Sequence, residues 1–518
     1  MPQPERVAAL GGPAVALTAA TTIVAGRAER QVATHLARTL RRATGFPMPL
    51  AAVATPAAPT VELTLAAPAG LGREGYTLTA RNQRVRLAAT TAEGLFRATQ
   101  TLLQLLPPDV ETTGQPGPWT VPQVEITDRP RFGYRGLMLD VGRRFVPAAS
   151  VKRLIDQAAR YKINVFHWHL TEDQGWRLPS RAFPALNRIG ASTQAGWREG
   201  GPWFYTEAEY RDVVAYAAER FITVVPEIDG PGHSAAAMAS VPGLNCDGVA
   251  REPYHGFDVR VSVFCLDEAR LPAVRDFVDK TFAEAAALSP GPWLHIGGDE
   301  VPSVTREQYA AYVGLAGRAA VANGKRVIGW HQVGDGPLPP GSAVQYWGLT
   351  HEDRPAIGTA EETESVRLLR RAVRQGAQVI VSPADRAYLD MKYTADTPYG
   401  LRWAGLVPVE RAYDWDPVRV LEPVVAEGQV LGVEAPLWTD RAYPGSHRLP
   451  DSTAVYPDPE VYLDHMVFPR LPAIAELGWS PERARDWPGF RARLAAHGPR
   501  WAARGIGFHR SPEIDWAD

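Results

Sequence analysis

Apolar and polar positions along the chain follow two rhythms, and the change between them falls near residue 128. Before it, Val32, Leu36 and Leu40 repeat at i, i+4 and i+8 through residues 29–44 and stop at Gly45, which predicts an amphipathic helix with a glycine terminator. Residues 92–106 predict a second helix, opened by a capping box of Thr90 and Glu93 and ended by Pro107-Pro108. Residues 61–65 and 76–88 alternate as strands. His, Cys and carboxylate residues do not cluster here, so residues 1–128 are expected to form a small non-catalytic α+β domain that serves as scaffold. The uncharged stretch 7–26 reads as a loop followed by a strand, too polar for a spanning helix and without the basic start of an export signal.

After Asp128-Arg129-Pro130, short apolar runs recur, most of them followed by a helical pattern. The runs cover 136–142, 164–170, 223–229, 293–300, 326–332, 343–348, 378–382 and 430–438. Helices are expected at 150–162, 206–220, 271–288, 306–323, 365–375, 417–427 and 459–477. Eight strands alternating with helices predict an α/β fold, a (β/α)8 TIM barrel spanning 129–518.

Composition narrows the function classes. Hydrophobic residues make up 45% and charged residues 22%, which excludes a disordered or coiled-coil chain. The net charge of −2, from 55 basic and 57 acidic residues, provides no field for nucleic acid or an anionic membrane, so neither is expected as a partner. Fifteen tryptophans mostly pack the core of a large protein, but some suit a site that stacks on flat ligand faces. Cys246 and Cys265 lie 19 apart in one loop-like segment, and composition leaves open whether they are buried thiols or a bridge.

In such barrels the chemistry sits at the C-terminal ends of the strands. Those ends carry Asp140 and Arg143; His167, His169, Glu172 and Asp173; Glu227, Asp229 and His233; His295, Asp299 and Glu300; then Trp330, Trp347 and Trp438. In His295-Ile-Gly-Gly-Asp299-Glu300, two glycines permit close backbone approach before two adjacent acids. Both acids reach one ligand only where the strand has passed into loop, because strand neighbours point to opposite faces. One carboxyl in each protonation state is what glycosidic cleavage requires. A solvated acidic turn is the plain alternative for Asp299-Glu300 alone, and the other polar strand ends weigh against it. His167 and His169 share a strand face and could join His233, His295 and Asp299 as metal ligands. Carboxylate or backbone partners would satisfy the same histidines, and paired acids beside tryptophans read as sugar binding, so neither a metal nor a cofactor is expected.

At these residues the chain resembles family 20 glycoside hydrolases, the β-N-acetylhexosaminidases. The resemblance rests on Tyr-Arg-Gly-Leu-Met-Leu-Asp-Val-Gly-Arg at 134–143, His-Trp-His-Leu-Thr-Glu-Asp-Gln-Gly-Trp-Arg at 167–177, Pro-Glu-Ile-Asp-Gly-Pro-Gly-His at 226–233 and the Gly-Gly-Asp-Glu stretch. It continues through Tyr388-Leu-Asp390, Trp403 and Trp438-Thr-Asp440, and covers nearly the whole chain. It implies exo-acting removal of terminal N-acetylglucosamine or N-acetylgalactosamine, by substrate-assisted retaining hydrolysis through an oxazolinium ion. By the resemblance Glu300 is general acid and then base with a raised pKa, while Asp299 stays ionised and orients the acetamido N–H. Tyr388 aims the acetamido oxygen, and Trp330, Trp347 and Trp438 wall the pocket. Arg143 and Asp390 hold hydroxyls, Trp403 joins the sugar-binding set, and His233 tunes Glu300.

Three positions depart from the family's usual residues: Glu172 and Asp440 exchange the two acidic side-chain lengths, and Arg144 replaces a histidine. Asp299, Glu300, Tyr388 and the tryptophans are all present, so an active enzyme of uncertain specificity is expected; the departures raise a carbohydrate-binding protein as one alternative, and a conventional retaining glycosidase with an acid such as Glu227 as nucleophile is another. The family also often bridges the loop holding Cys246 and Cys265, which implies a disulfide and an exported protein; a cytoplasmic protein is the alternative. The expected partner is an oligosaccharide, such as a chitooligosaccharide, ending in an N-acetylhexosamine.

Overall fold

The computed structural model describes residues 1–54, 58–198, 200–301, 303–442 and 458–517. It divides into two compact units. One comprises Met1–Gly133, Ala159–Lys162 and Ala475–Asp518, the other Tyr134–Ala158 and Ile163–Ile474.

The first unit contains a seven-stranded sheet in the order Arg6–Ala9, Val124–Asp128, Tyr76–Arg81, Arg84–Ala89, Thr60–Thr64, Thr22–Ala25, Leu50–Ala51. The predicted strand 76–88 is a hairpin, turned at Asn82 and Gln83, both at positive φ as a tight twisted turn demands. Helix Arg30–Thr44 buries Val32, Leu36 and Leu40 and ends in a left-handed Gly45. Helix Ala92–Leu105 is capped by Thr91, whose Oγ1 accepts the Gly94 N–H, and not by Thr90. Thr90 instead donates to the Gly72 carbonyl, and Glu93 pairs with Arg73 and Arg97, so the expected box gives way to tertiary partners.

The second unit is a closed parallel barrel of eight strands. In chain order these are β1 (Tyr134–Asp140), β2 (Val165–His169), β3 (Thr223–Glu227), β4 (Trp293–His295), β5 (Arg326–Trp330), β6 (Ala343–Tyr346), β7 (Gln378–Val381) and β8 (Val430–Leu437). Every strand falls within or beside its predicted run, and β8 closes on β1 with Tyr134 opposite Gly432 and Leu139 opposite Leu437. Near-continuous burial along β1, β2 and β8 is what a parallel sheet covered on both faces requires. Tyr134, Val165, Val225, Trp293, Ile328, Ala343 and Ile380 form a buried apolar cluster drawn from seven of the strands.

The helices after β3 and β4, Leu271–Leu288 and Arg306–Ala322, lie where expected. Two predictions fail, each at a proline. Residues 417–427 form turns, because Pro423 disfavours helical backbone at Glu422. The stretch 459–477 splits into Pro459–Val467 and Arg470–Trp479 around Pro469, which has no N–H to continue the ladder.

Strand register sets the level of the polar ends. Asp140 lies opposite His169, His169 opposite Glu227, and Glu227 opposite His295. Four polar residues distant in sequence thus form one row at the C-terminal end of β1–β4.

Candidate active site

A cleft at this end of the barrel is lined by Arg143, Val259, Asp299, Glu300, Trp347, Tyr388, Asp390, Trp403, Trp438 and Asp440. Its empty space is about 670 Å³ with the open mouth included, the scale of a sugar-sized site. Nine of the ten are residues expected from sequence. Val259 was not, because a lone valine in a loop carries no motif; only the bracketing cysteines marked its segment.

Asp299 and Glu300 owe their placement to the glycines before them. β4 ends at His295, and Gly297 and Gly298 then take φ of 65° and 105°. A Cβ on Gly297 would lie 1.6 Å from Asp229 Oδ1, so only glycine fits. Asp229 Oδ1 accepts the Gly298 N–H at 3.0 Å, and Tyr309 donates to the Gly298 carbonyl at 2.6 Å. Glu300 follows with φ of 50°, a left-handed conformation that turns its carboxylate into the cleft. Strained backbone of this kind gathers at functional sites.

His233, also left-handed at φ 48°, stands behind both acids: its Nε2 lies 3.8 Å from Asp299 Oδ2 and 3.6 Å from Glu300 Oε2. On its other side, Nδ1 meets Glu172 Oε2 at 3.1 Å. Glu172 is buried and faces Arg143 at 2.8 Å and His169 at 3.3 Å, so the longer side chain still joins Arg143 to His233. Neither Glu172 nor His233 is among the lining residues. Both act from behind the wall.

Burial works against charge on His233, yet the Glu172 and Asp299 carboxylates outweigh it and hold the imidazole well above its ordinary pKa. Burial pushes Asp299 up to about 6, with the Glu300 charge adding and the His233 charge opposing. Glu300 is also raised by burial, but its contact with the charged His233 imidazole and then the Arg260 charge bring it below the ordinary carboxylate value. In the empty site these shifts run opposite to the order that the resemblance implies for the reaction, with Glu300 the raised acid and Asp299 ionised. The cause is local: Glu300 lies at the cleft mouth beside two cations, and Asp299 lies deeper.

Part of the cleft wall is polar. Arg143 meets Asp440 at 3.2 Å and Asp140 at 3.4 Å, and its guanidinium lies over the Trp438 ring at 4.8 Å. Asp390 is buried, and neither carboxylate oxygen has a hydrogen-bond partner among the described residues. Burial, then the Asp440 charge, raise it well above the usual range. The aromatic wall is continuous: Tyr388 lies 6.3 Å from Trp438 and 6.0 Å from Trp403, which lies 6.0 Å from Trp347. Trp330, expected in this wall, is fully buried, 5.6 Å from Trp438 and 4.9 Å from His295, and backs the wall.

Beneath lies a buried histidine–carboxylate chain. Glu227 is within 2.9 Å of His167 and 2.8 Å of His295 and contacts His169, while His167 reaches Glu434 at 2.9 Å. Glu434 also accepts from Tyr134 at 2.6 Å and Gln345 at 2.7 Å. His167, Glu227 and His295 are close enough together to hold a metal ion. His167 lies between the Glu227 and Glu434 carboxylates and His169 between Glu227 and Glu172, while His295 meets Glu227 through Nδ1 alone. Cys246 and Cys265 form a disulfide.

Residues 132–482 match the glycosyl hydrolase family 20 catalytic domain, and residues 1–129 match domain 2 of that family. A β-N-acetylhexosaminidase of Cellulomonas fimi is 39% identical over 520 residues, with 100% of this chain and 97% of that protein covered. A family 20 β-N-acetylhexosaminidase structure from Streptomyces coelicolor A3(2) superposes with a TM-score of 0.89 at 43% identity, covering 100% of this chain and 98% of the other. A Streptomyces plicatus β-hexosaminidase variant in complex with product (GlcNAc) is 45% identical with a TM-score of 0.89, covering 100% and 97%. A barrel whose fourth strand runs through two obligatory glycines into paired acids, matched at this identity over its whole length, belongs to glycoside hydrolase family 20 and is a glycoside hydrolase.

Proposed function

We infer that the cleft removes single terminal β-linked N-acetylhexosamines from oligosaccharides, with the sugar's own acetamido group as nucleophile. The observation that carries this reading is Asp299 and Glu300 sharing His233 in a cleft that also presents the buried Arg143 and Asp390 and a wall of tryptophans. A cleft of sugar-sized volume with buried charged groups to take hydroxyls supports exo action on one terminal sugar.

In this mechanism Asp299 accepts the acetamido N–H and Tyr388 donates to the acetamido oxygen, aiming it at C1. That oxygen attacks C1 while Glu300 gives its proton to the departing glycosidic oxygen, leaving an oxazolinium ion. Glu300 then takes a proton from water, the water oxygen bonds to C1, and the acetamido group is restored with the β configuration retained. Trp438 and Trp347 offer ring faces to the sugar and its N-acetyl group, backed by Trp330. Arg143, Asp390 and Asp440 take hydroxyls.

The pair carries one proton over much of the acid range, and in the empty site that proton favours Asp299. A seated substrate reverses this: the acetamido N–H favours ionised Asp299, and an aglycone that dehydrates Glu300 favours its protonated form. Substrate binding thereby moves the proton to the group that must donate it. Glu227 is no candidate nucleophile, being fully buried among His167, His169 and His295. The Cys246–Cys265 bridge supports a protein that matures outside a reducing compartment.

The test is release of nitrophenol from the β-N-acetylglucosaminide beside the matching β-glucoside, with and without chelator. Cleavage of the acetamido substrate alone, indifferent to chelator, is expected. Equal cleavage of the glucoside would return the case to a protein nucleophile, and binding without turnover would make the chain a carbohydrate-binding protein.

A further inference from the structure

The segment between Cys246 and Cys265 brings a cation to the mouth of the cleft. Arg260 Nη2 lies 3.5 Å from Glu300 Oε1, and the arginine side chain is 63% exposed while that of Glu300 is 20% exposed. The neighbouring Val259 lines the cleft, and Val259 and Trp403 are its two half-exposed apolar members, at 41% and 49%.

The backbone that carries Arg260 is anchored on both sides of it. Its backbone is left-handed at φ 62°. Two residues on, Ser262 Oγ donates to Asp173 at 2.5 Å and accepts the Ser234 N–H at 2.8 Å, and Val263 bridges to Gly232. Three residues before it, the Phe257 ring receives the guanidinium of Arg441 at 4.5 Å and that of Arg144 at 5.9 Å. Arg144 is the residue that departs from the family's usual histidine, so that departure becomes a support for this segment. The disulfide closes its base.

Resting on the reaction proposed above, we propose that Arg260 selects an anionic sugar as the aglycone: this enzyme prefers to cut an N-acetylhexosamine from a neighbouring residue that carries a carboxylate or sulfate. Glu300 must reach the glycosidic oxygen, and Arg260 contacts the same carboxylate from the solvent side. The guanidinium therefore lies within roughly two hydrogen-bond lengths, ~6 Å, of the scissile oxygen on the aglycone side. Its planar fork suits a carboxylate or sulfate. Asp247, the acid at the start of the segment, is engaged by Arg251 at 3.1 Å. Val259 and Trp403 supply the apolar surfaces on which a sugar ring rests.

The experiment compares kcat/KM for three disaccharides with N-acetylglucosamine β-linked to glucose, to glucuronic acid and to 6-sulfated glucose, in the wild type, Arg260→Gln and Arg260→Lys. The wild type is expected to favour at least one anionic disaccharide over the neutral one by about two- to fivefold at low salt, the scale of a partly exposed ion pair. Arg260→Gln should abolish the ratio, Arg260→Lys should keep part of it, and added salt should erode it. The two anions show which chemistry is read. Equal rates for all three disaccharides in the wild type would overturn the proposal and leave the exo reaction intact, as would a common drop in Arg260→Gln, which would mean that Arg260 acts only on Glu300. Failure to cleave any of the three, or an aryl N-acetylglucosaminide, would overturn the reaction beneath it.

Discussion

Asp299 and Glu300 compete for one proton beside a histidine that is itself held charged, and this sets how the enzyme answers to pH. Such a pair titrates as a unit, and its one-proton state is the competent one. The profile of kcat/KM is expected to be a bell, with its alkaline limb near the upper value of about 6 and its acid limb below the ordinary glutamate range. The His233 cation lowers both values, so His233→Gln should move both limbs to higher pH, besides slowing the reaction. Unmoved limbs would separate His233 from the pair. Glu300→Gln removes the proton donor and should cost roughly 10³ in kcat on a sugar leaving group. A nitrophenyl aglycone, which departs with little acid help, should lose far less in its first step. Tyr388→Phe should cost about 10² in kcat with a small change in KM, since its hydrogen bond strengthens only as charge develops on the acetamido oxygen.

At the scale of elements, the turn after β4 and the bridged loop after β3 do different work. Gly297→Ala puts a methyl group into Asp229 and forces a left-handed alanine. A stability loss of roughly 2–4 kcal/mol is expected, with activity lost alongside, because Asp229 also holds the Gly298 N–H. Thermal unfolding and the aryl assay would register both. Removing the bridge with Cys246→Ser and Cys265→Ser should cost about 3 kcal/mol by freeing a loop of this length. The neutral aryl substrate should still be cleaved, since neither cysteine lines the cleft. Any discrimination through Arg260 should weaken first.

For the whole molecule, chain order and compact unit do not coincide. Ala475–Asp518 belongs to the same unit as Met1–Gly133. Within that unit, Trp479 donates to buried Asp128 at 2.9 Å, Lys162 reaches the same carboxylate at 2.9 Å, and Arg500 donates to the carbonyl of Gln104 at 2.9 Å. A chain ended after Ile474 would leave Asp128 and Lys162 a buried pair without its tryptophan cover. Breaking into such a buried ion pair costs several kcal/mol. That shortened chain should show early unfolding and protease cutting among residues 1–133, measurable by limited proteolysis with mass mapping.

Sequence alone determined the eight strands of the barrel, because parallel strands covered on both faces must be apolar runs and the helices between them must repeat at 3.6 residues. It determined the paired acids and most of the tryptophans too, since a site at the strand ends leaves polar and aromatic residues at fixed points after each run. Other features belonged to the tertiary structure. The helix cap at Thr91 could not be read because Thr90 and Glu93 find partners far along the chain. Trp330 could not be told from Trp438 by its position after a strand; only packing put one behind the other. The proton balance between Asp299 and Glu300 depends on a histidine sixty-odd residues earlier and on their unequal depth. Val259 and Arg260 are ordinary loop residues until the fold carries their bridged segment to the mouth of the cleft. Local rhythm is written in near neighbours along the chain. Burial, charge and what stands beside a reacting group come from residues that meet only when the barrel closes.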